Sequence, residues 1–310
     1  MWVLSAVISA FIAALVTISV SFLVECAGGI VGGTIGTVPH VAVVGSIGFS
    51  LVAAADSSEF QVAMLVMPIG MLNNSFFLAA LRLSSHYWRT RQATPRFRAA
   101  AVFSCSCVLF LLIVVLIVFL LKPETLRLDQ VRVLAFCSFI LEFVIGYVLF
   151  KYFPSNATTA KNKSSRLSIF LRGCCTFVLF FIAMALAQSF PAVSGILVNL
   201  PIVGTVIVSS IWLSQSEECA MSTIAPMVLG MLSASFYAML TSYFMPLIGT
   251  AGGAVLSWFI SVGCVTFPVL MFLQKHRKAL SPNKDAAMSE LANPIGRPIP
   301  KGAGTDVSML

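Results

Sequence analysis

Long apolar runs, each ended by a short polar or basic cluster, recur along most of this chain. Nine of them are about 20 residues or longer: Val3–Val24, Gly28–Ala53, Phe60–Ser84, Ala99–Leu121, Val131–Tyr152, Ile169–Ser189, Ala192–Leu213, Cys219–Tyr243 and Gly249–Leu273. At 1.5 Å per residue a helix of that length covers a hydrocarbon core of about 30 Å. The pattern predicts an all-α, polytopic membrane protein with about nine transmembrane helices. The first run lacks a basic leading segment, so it reads as a retained span rather than a cleaved signal.

Composition agrees. Hydrophobic residues make up 59% of the 310 positions and charged residues 10%, against roughly 45–50% and about 25% in soluble domains. The mean hydropathy is +0.99. These values argue against a soluble core and a disulfide-rich secreted domain. They leave the bilayer as the main partner, with oligomeric state and the particular membrane open.

The net charge of +8 is a matter of topology. Arg82, Arg89, Arg91, Arg96 and Arg98 lie between spans three and four. Lys151, Lys161, Lys163, Arg166 and Arg172 lie between spans five and six. Lys275, Arg277, Lys278, Lys284, Arg297 and Lys301 follow span nine. A nine-span count puts all three groups on one face and leaves only Lys122, Arg127 and Arg132 opposite. The positive-inside bias then predicts a cytoplasmic C-terminus and an N-terminus outside or in a lumen. No aromatic residues interleave with these bases as an RNA-binding surface would require, so no nucleic-acid partner is expected. On this topology the sequons Asn156-Ala-Thr158 and Asn162-Lys-Ser164 are cytoplasmic and stay unglycosylated. The polar, proline-containing segment from Lys275 onward reads as a disordered tail. The cysteines, scattered within or beside spans, read as packing residues.

The chain also resembles itself. Thr37-Val-Pro39 and then Pro68-Ile-Gly-Met-Leu-Asn-Asn-Ser-Phe-Phe77 in the first half stand opposite Asn199-Leu-Pro201 and Val228-Leu-Gly-Met-Leu-Ser-Ala-Ser-Phe-Tyr237 in the second. Pro39 and Pro201 are 162 positions apart, Gly70 and Gly230 are 160 apart, and a two-residue gap reconciles them. Spans one to four correspond to spans six to nine, with span five left over. A displacement of five spans turns the second unit upside down. The expected organisation is a 4+1+4 inverted repeat: residues 1–130, a connecting helix and loop over 131–168, the inverted unit over 169–274, and the tail 275–310.

The stretch Ser194–Leu240 carries Gly195-Ile-Leu-Val-Asn-Leu-Pro-Ile and the later Met-Val-Leu-Gly-Met-Leu-Ser-Ala-Ser-Phe-Tyr. It resembles the GlpM-like small membrane proteins, one half of this chain at a time. The resemblance implies a four-span unit, here fused to an inverted copy, and carries no catalytic residue or substrate with it.

Inverted repeats supply two states of similar energy, one open to each face, and their substrate sites lie near the midplane beside interrupted helices. Pro39 and Pro201 fall about ten residues into their spans, roughly 15 Å deep. Each is expected to free the carbonyl four residues before it, Ile35 or Leu197. A freed carbonyl in lipid needs a partner. Thr37 and His40 in one half, and Asn199 in the other, are placed to supply one or to contact a substrate. Asn73 and Ser233, at matched positions after Gly-Met-Leu, are either interhelical glue or pore-lining groups. Glu25, ending span one, is the first candidate for ion or proton coupling. Glu142 is the second, since a carboxylate ionised in mid-span costs about 2.5–3.5 kcal/mol or more. Gly28, Gly29, Gly32, Gly33 and Gly36 form a small-residue face for close helix packing. Asp56, Glu59, Glu217 and Glu218 read as solvated turn residues.

No His-Glu-x-x-His, Gly-x-Ser-x-Gly or Gly-x-Gly-x-x-Gly pattern is present, so neither an enzyme nor a cofactor is expected; the sequence assigns no metal site. Architecture points to a secondary-transporter-like carrier of a small solute or ion. The alternative is a non-transporting scaffold or regulatory subunit whose polar groups only hold helices together.

Overall fold

A computed structural model of the 310-residue chain describes residues 2–27, 34, 37–89, 94–117, 119, 126–153, 166–187, 204–205, 208–209, 211–212 and 216–280. Among these no strand occurs. The helices are α1 (Trp2–Ala27), α2 (His40–Val52), α3 (Ser58–Arg89), α4 (Pro95–Leu116), α5 (Leu128–Tyr152), α6 (Arg166–Ala187), α7 (Glu217–Ser222), α8 (Ile224–Ile248), α9 (Thr250–Ser261) and α10 (Phe267–Leu280), with a π-helical turn over Val262–Thr266 joining the last two. Five stretches of the described residues are long and apolar enough to cross a bilayer: Ser58–Trp88, Arg96–Leu116, Leu128–Tyr152, Glu217–Ile248 and Thr250–His276. The protein is a multi-pass helical membrane protein.

Local sequence sets the helix ends. Thr94 caps α4 by accepting from the Phe97 amide at 3.4 Å, with Pro95 at the first helical position, where its missing N–H costs nothing. Gln130 Oε1 accepts from the Arg127 amide at 2.9 Å and closes the start of α5. Ser216 accepts from the Cys219 amide at 3.1 Å to begin α7. Gly249, at φ +83°, turns the chain sharply from α8 into α9, a conformation glycine adopts without a Cβ penalty. The turn is tight enough that a Cβ on Gly253 would lie 2.6 Å from the backbone of Met245.

The chain divides into two units, residues 1–271 and 272–310. In the first, α3 and α8 form the centre. Their apolar stretches are 72% and 78% buried, against 22% for α4 and 28% for α5. The outer helices therefore present most of their surface to lipid. The central pair pack on each other; α4 lies against α3 and α9 against α8; α5 leans on both central helices. Val131 and Ala135 of α5 join a cluster with Leu65 and Val66 of α3, whereas Leu149 joins Phe77, Leu78 and Leu81, so α3 and α5 run parallel. On the other flank α1 pairs with α6, and α2 packs on α1 and α9. Gly48 of α2 marks where α1, α2 and α6 meet, with Ser9 Oγ and Met184 Cε each 3.0 Å from where its Cβ would sit. In the second unit the Phe272 ring lies over His276 at 4.3 Å.

Three sequence expectations change. The segment after Lys275 continues as helix to Leu280, because apolar Phe267–Leu273 has already nucleated α10; the rest of the tail lies outside the described residues. Arg172, counted with the basic residues between spans five and six, belongs to α6 and is 2% exposed. Cys105, Cys107, Cys137, Cys174, Cys175 and Cys264 are exposed thiols on outward helix faces, not packing residues. The glycine stretch 28–33 and Gly36 lie outside the described residues.

Candidate helix-break site

Span two is interrupted where the proline suggests, but differently from a kink. Residues 37–39 form a turn, and α2 starts afresh at His40 with Pro39 as its N-cap, at φ −72° and ψ 40°. The correction is physical: Pro39 initiates a helix, a position that tolerates its missing N–H, rather than bending a continuous one. The Pro39 carbonyl accepts from the Val43 amide at 2.9 Å. Ahead of it, the Thr34 carbonyl takes both the Thr37 amide, at 3.3 Å, and the Thr37 hydroxyl, at 2.9 Å.

The turn rests on α8. Gly230 has no side chain, and a Cβ there would collide with Thr37 Oγ1, lie 3.2 Å from Thr37 Cβ and 3.4 Å from Thr34 Cα. One helical turn on, Ser233 Oγ donates to the Gly230 carbonyl at 2.9 Å and reaches the Thr37 carbonyl at 3.5 Å. The structure thus joins Thr37 and Ser233 across 196 residues of chain, with Pro39 two residues beyond Thr37. His40, the first residue of α2, keeps both ring nitrogens enclosed without a well-formed hydrogen bond among the described residues. Further along α2, Ser46 and Tyr237 share a buried 2.7 Å hydrogen bond that ties α2 to α8.

Asn73 lies elsewhere. Its amide donates to the Phe110 carbonyl on α4 at 3.4 Å, rather than to Ser233, and its Oδ1 is buried with no partner among the described residues. Glu142 is fully buried on the α5 stripe formed by Val131, Ala135, Ser138, Glu142, Gly146 and Leu149. Ser235 Oγ donates to its Oε2 at 2.6 Å, while Oε1 has no partner among the described residues. A Cβ on Gly146 would sit 2.7 Å from Leu229 Cδ2, which measures how closely α5 approaches α8. Glu25 falls in the last turn of α1, and its side chain, like Asn199 and Pro201, lies outside the described residues.

A second polar cluster was not anticipated. Glu217, read as a solvated turn residue, is largely enclosed: Arg98 Nη1 lies 3.3 Å from its Oε2 and Ser85 Oγ donates to its Oε1 at 2.7 Å. This joins the end of α3, the start of α4 and the start of α7. No sequence signal pairs them: Arg98 and Glu217 are 119 positions apart, and the nearest basic residue before Glu217 is Arg172.

The helix break gathers backbone carbonyls and hydroxyls in an apolar surround, which suits binding of a small polar group. Among the described residues no group of three His, Cys, Asp or Glu side chains is placed to hold a metal. Comparison with protein-family models, with curated proteins and with solved structures gives no match for this chain.

Proposed function

We propose that the protein is a secondary carrier that moves a small solute or ion by alternating access between two inverted four-helix halves. The carrying observation is the seating of the span-two break on Gly230 and Ser233: an interrupted helix of one half meets the matched Gly-Met-Leu block of the other. Folds of this kind bind substrate at such a junction. In this reading Thr37, Pro39, His40 and Ser233 contact the substrate in the first half-site. Asn73, Asn199 and Pro201 belong to its counterpart, and Glu25 and Glu142 handle charge.

The helix packing supports a two-fold relation. Exchanging α1 with α6, α3 with α8 and α4 with α9, while leaving α5 in place, maps the principal contacts onto one another. Span seven also contributes Trp212, whose ring lies 6.0 Å from Phe103 of α4, as α2 packs on α9. The Arg98–Glu217 pair supports the nine-span parity, since that count sets loops three–four and seven–eight on one face. The GlpM-like resemblance of the second half fits the same four-span unit, and the reading assigns no enzymatic step. With 16 of the 19 basic residues on one face, the C-terminus is cytoplasmic.

Labelling of single cysteines at positions 40 and 199 in reconstituted vesicles, with native cysteines replaced, tests the reading. A carrier changes the face from which these positions react when a transported solute is added from a screened panel. Labelling from one face only, under every condition, removes it. The interhelical bonds Asn73–Phe110 and Ser46–Tyr237 favour the second reading, a rigid scaffold, which predicts that unchanging result.

A further inference from the structure

Glu142 has no structural need to be an acid. A carboxyl that only tied α5 to α8 would use both oxygens or be replaced by an amide. Here Ser235 occupies Oε2 alone, and Oε1 is buried without a partner among the described residues. Among the described residues the surroundings supply no counter-charge. Both helices packed against α5 are uncharged where they face it: α3 carries no ionisable side chain from Phe60 to Leu81, and α8 carries only the phenols Tyr237 and Tyr243. The Tyr237 hydroxyl is engaged with Ser46, and Tyr243 is exposed. On α5 itself, Cys137 and Tyr147 are exposed, and Arg132 and Lys151 stand ten and nine residues away, about 14–15 Å along the axis. An isolated carboxylate in such a place costs several kcal/mol. A metal ion is a poor occupant. One carboxyl and one hydroxyl fall short of the six to eight oxygens that Ca²⁺ takes.

We infer that Glu142 is a proton-binding site, occupied while α5 lies against Ser235 of α8 and emptied when that contact opens to water. This deepens the carrier reading and rests on it for the second half of the statement: the coupled ion is H⁺. Gly146, one turn from Glu142, sits against Leu229 and sets how closely α5 approaches α8. A movement of α8 relative to α5 removes the Ser235 donor and admits water in the same step.

Infrared spectroscopy of the full-length protein in lipid vesicles reads the proton directly. At neutral pH the wild type should show the carbonyl band of a neutral carboxyl, absent in Glu142→Gln and displaced in Ser235→Ala, which loses the hydroxyl donor. Raising the pH should bleach that band reversibly. A carboxylate band at neutral pH, or a neutral band that persists until the protein unfolds, overturns the site. Ser235→Ala keeps the test decisive if Glu142→Gln does not fold. The coupling is read separately, as labelling of a cysteine at position 40. It should depend on pH in the wild type and lose that dependence in Glu142→Gln; pH-independent labelling in the wild type overturns coupling. A titrating carboxyl with one-sided labelling throughout would remove the carrier and leave proton binding in place.

Discussion

The hydroxyl of Thr37 rests directly on the bare backbone of Gly230, so the break in span two and the middle of α8 are closer than any side chain on α8 would permit. Gly230→Ala should therefore displace the turn, lowering stability by about 1–3 kcal/mol as overpacked sites do and abolishing solute-dependent labelling at position 40. Thr37→Ala removes the obstructing hydroxyl, so the double variant should recover part of the loss. Thermal unfolding of both single variants and the double in lipid measures this coupling, expected at about 0.5–3 kcal/mol. Strict additivity would mean that the two residues do not bear on each other.

Arg98 and Glu217 tie α4 to α7, with Ser85 of α3 as a third member. Arg98→Ala should strip the carboxylate of its charged partner, costing about 1.5–3 kcal/mol. It should also raise reactivity of a cysteine at position 85 toward reagent added on that face. Exchanging the charges, Arg98→Glu with Glu217→Arg, should restore protection. An unchanged labelling rate in Arg98→Ala would show that the pair bars no path.

Tyr237→Phe removes the hydroxyl shared with Ser46 while leaving Ser46 its bond to the Val43 carbonyl at 2.9 Å. The expected loss is about 1 kcal/mol. Ser46→Ala strands the Tyr237 hydroxyl in an apolar surround and should cost more. Denaturation midpoints of the two variants rank them, and the reverse order would contradict the assigned bond.

Two glycines at close helix contacts should differ. A Cβ on Gly253 meets the Met245 backbone, which cannot yield, whereas one on Gly146 meets the end of the Leu229 side chain. Gly253→Ala should destabilise by several kcal/mol or prevent accumulation. Gly146→Ala should cost about 1 kcal/mol, and less in a Leu229→Ala background, whose own cost is about 2–5 kcal/mol. Expression and unfolding temperatures of the three variants decide.

Much of the helical frame was legible from the chain because lipid imposes a single demand, long apolar runs without charge. Span three was read as Phe60–Ser84 and is Ser58–Arg89; span five was read as Val131–Tyr152 and is Leu128–Tyr152. Pro39 was correctly placed at an interruption, but whether proline bends or begins a helix depends on the turn before it. Ser233 was singled out by its matched position, while Gly230 entered only as a letter of the repeat, since its role is set by what lies opposite. Arg172 and Glu217 were misread for one reason: charge near a span end fits an exposed anchor and an enclosed partner equally well. Ser46 and Tyr237, 191 positions apart, carry no pattern that pairs them.

The α5 helix puts Ser138, Glu142 and Gly146 on one side and Val133, Phe136, Ile140, Phe143, Val144 and Tyr147 on the other. Inserting one residue near Leu134 would swing everything beyond it through about 100°. The acid would then face acyl chains, and Leu141 would take its place against the central pair. The outward side, by contrast, only has to be greasy, and broad exchange among aliphatic and aromatic side chains there should leave the molecule intact.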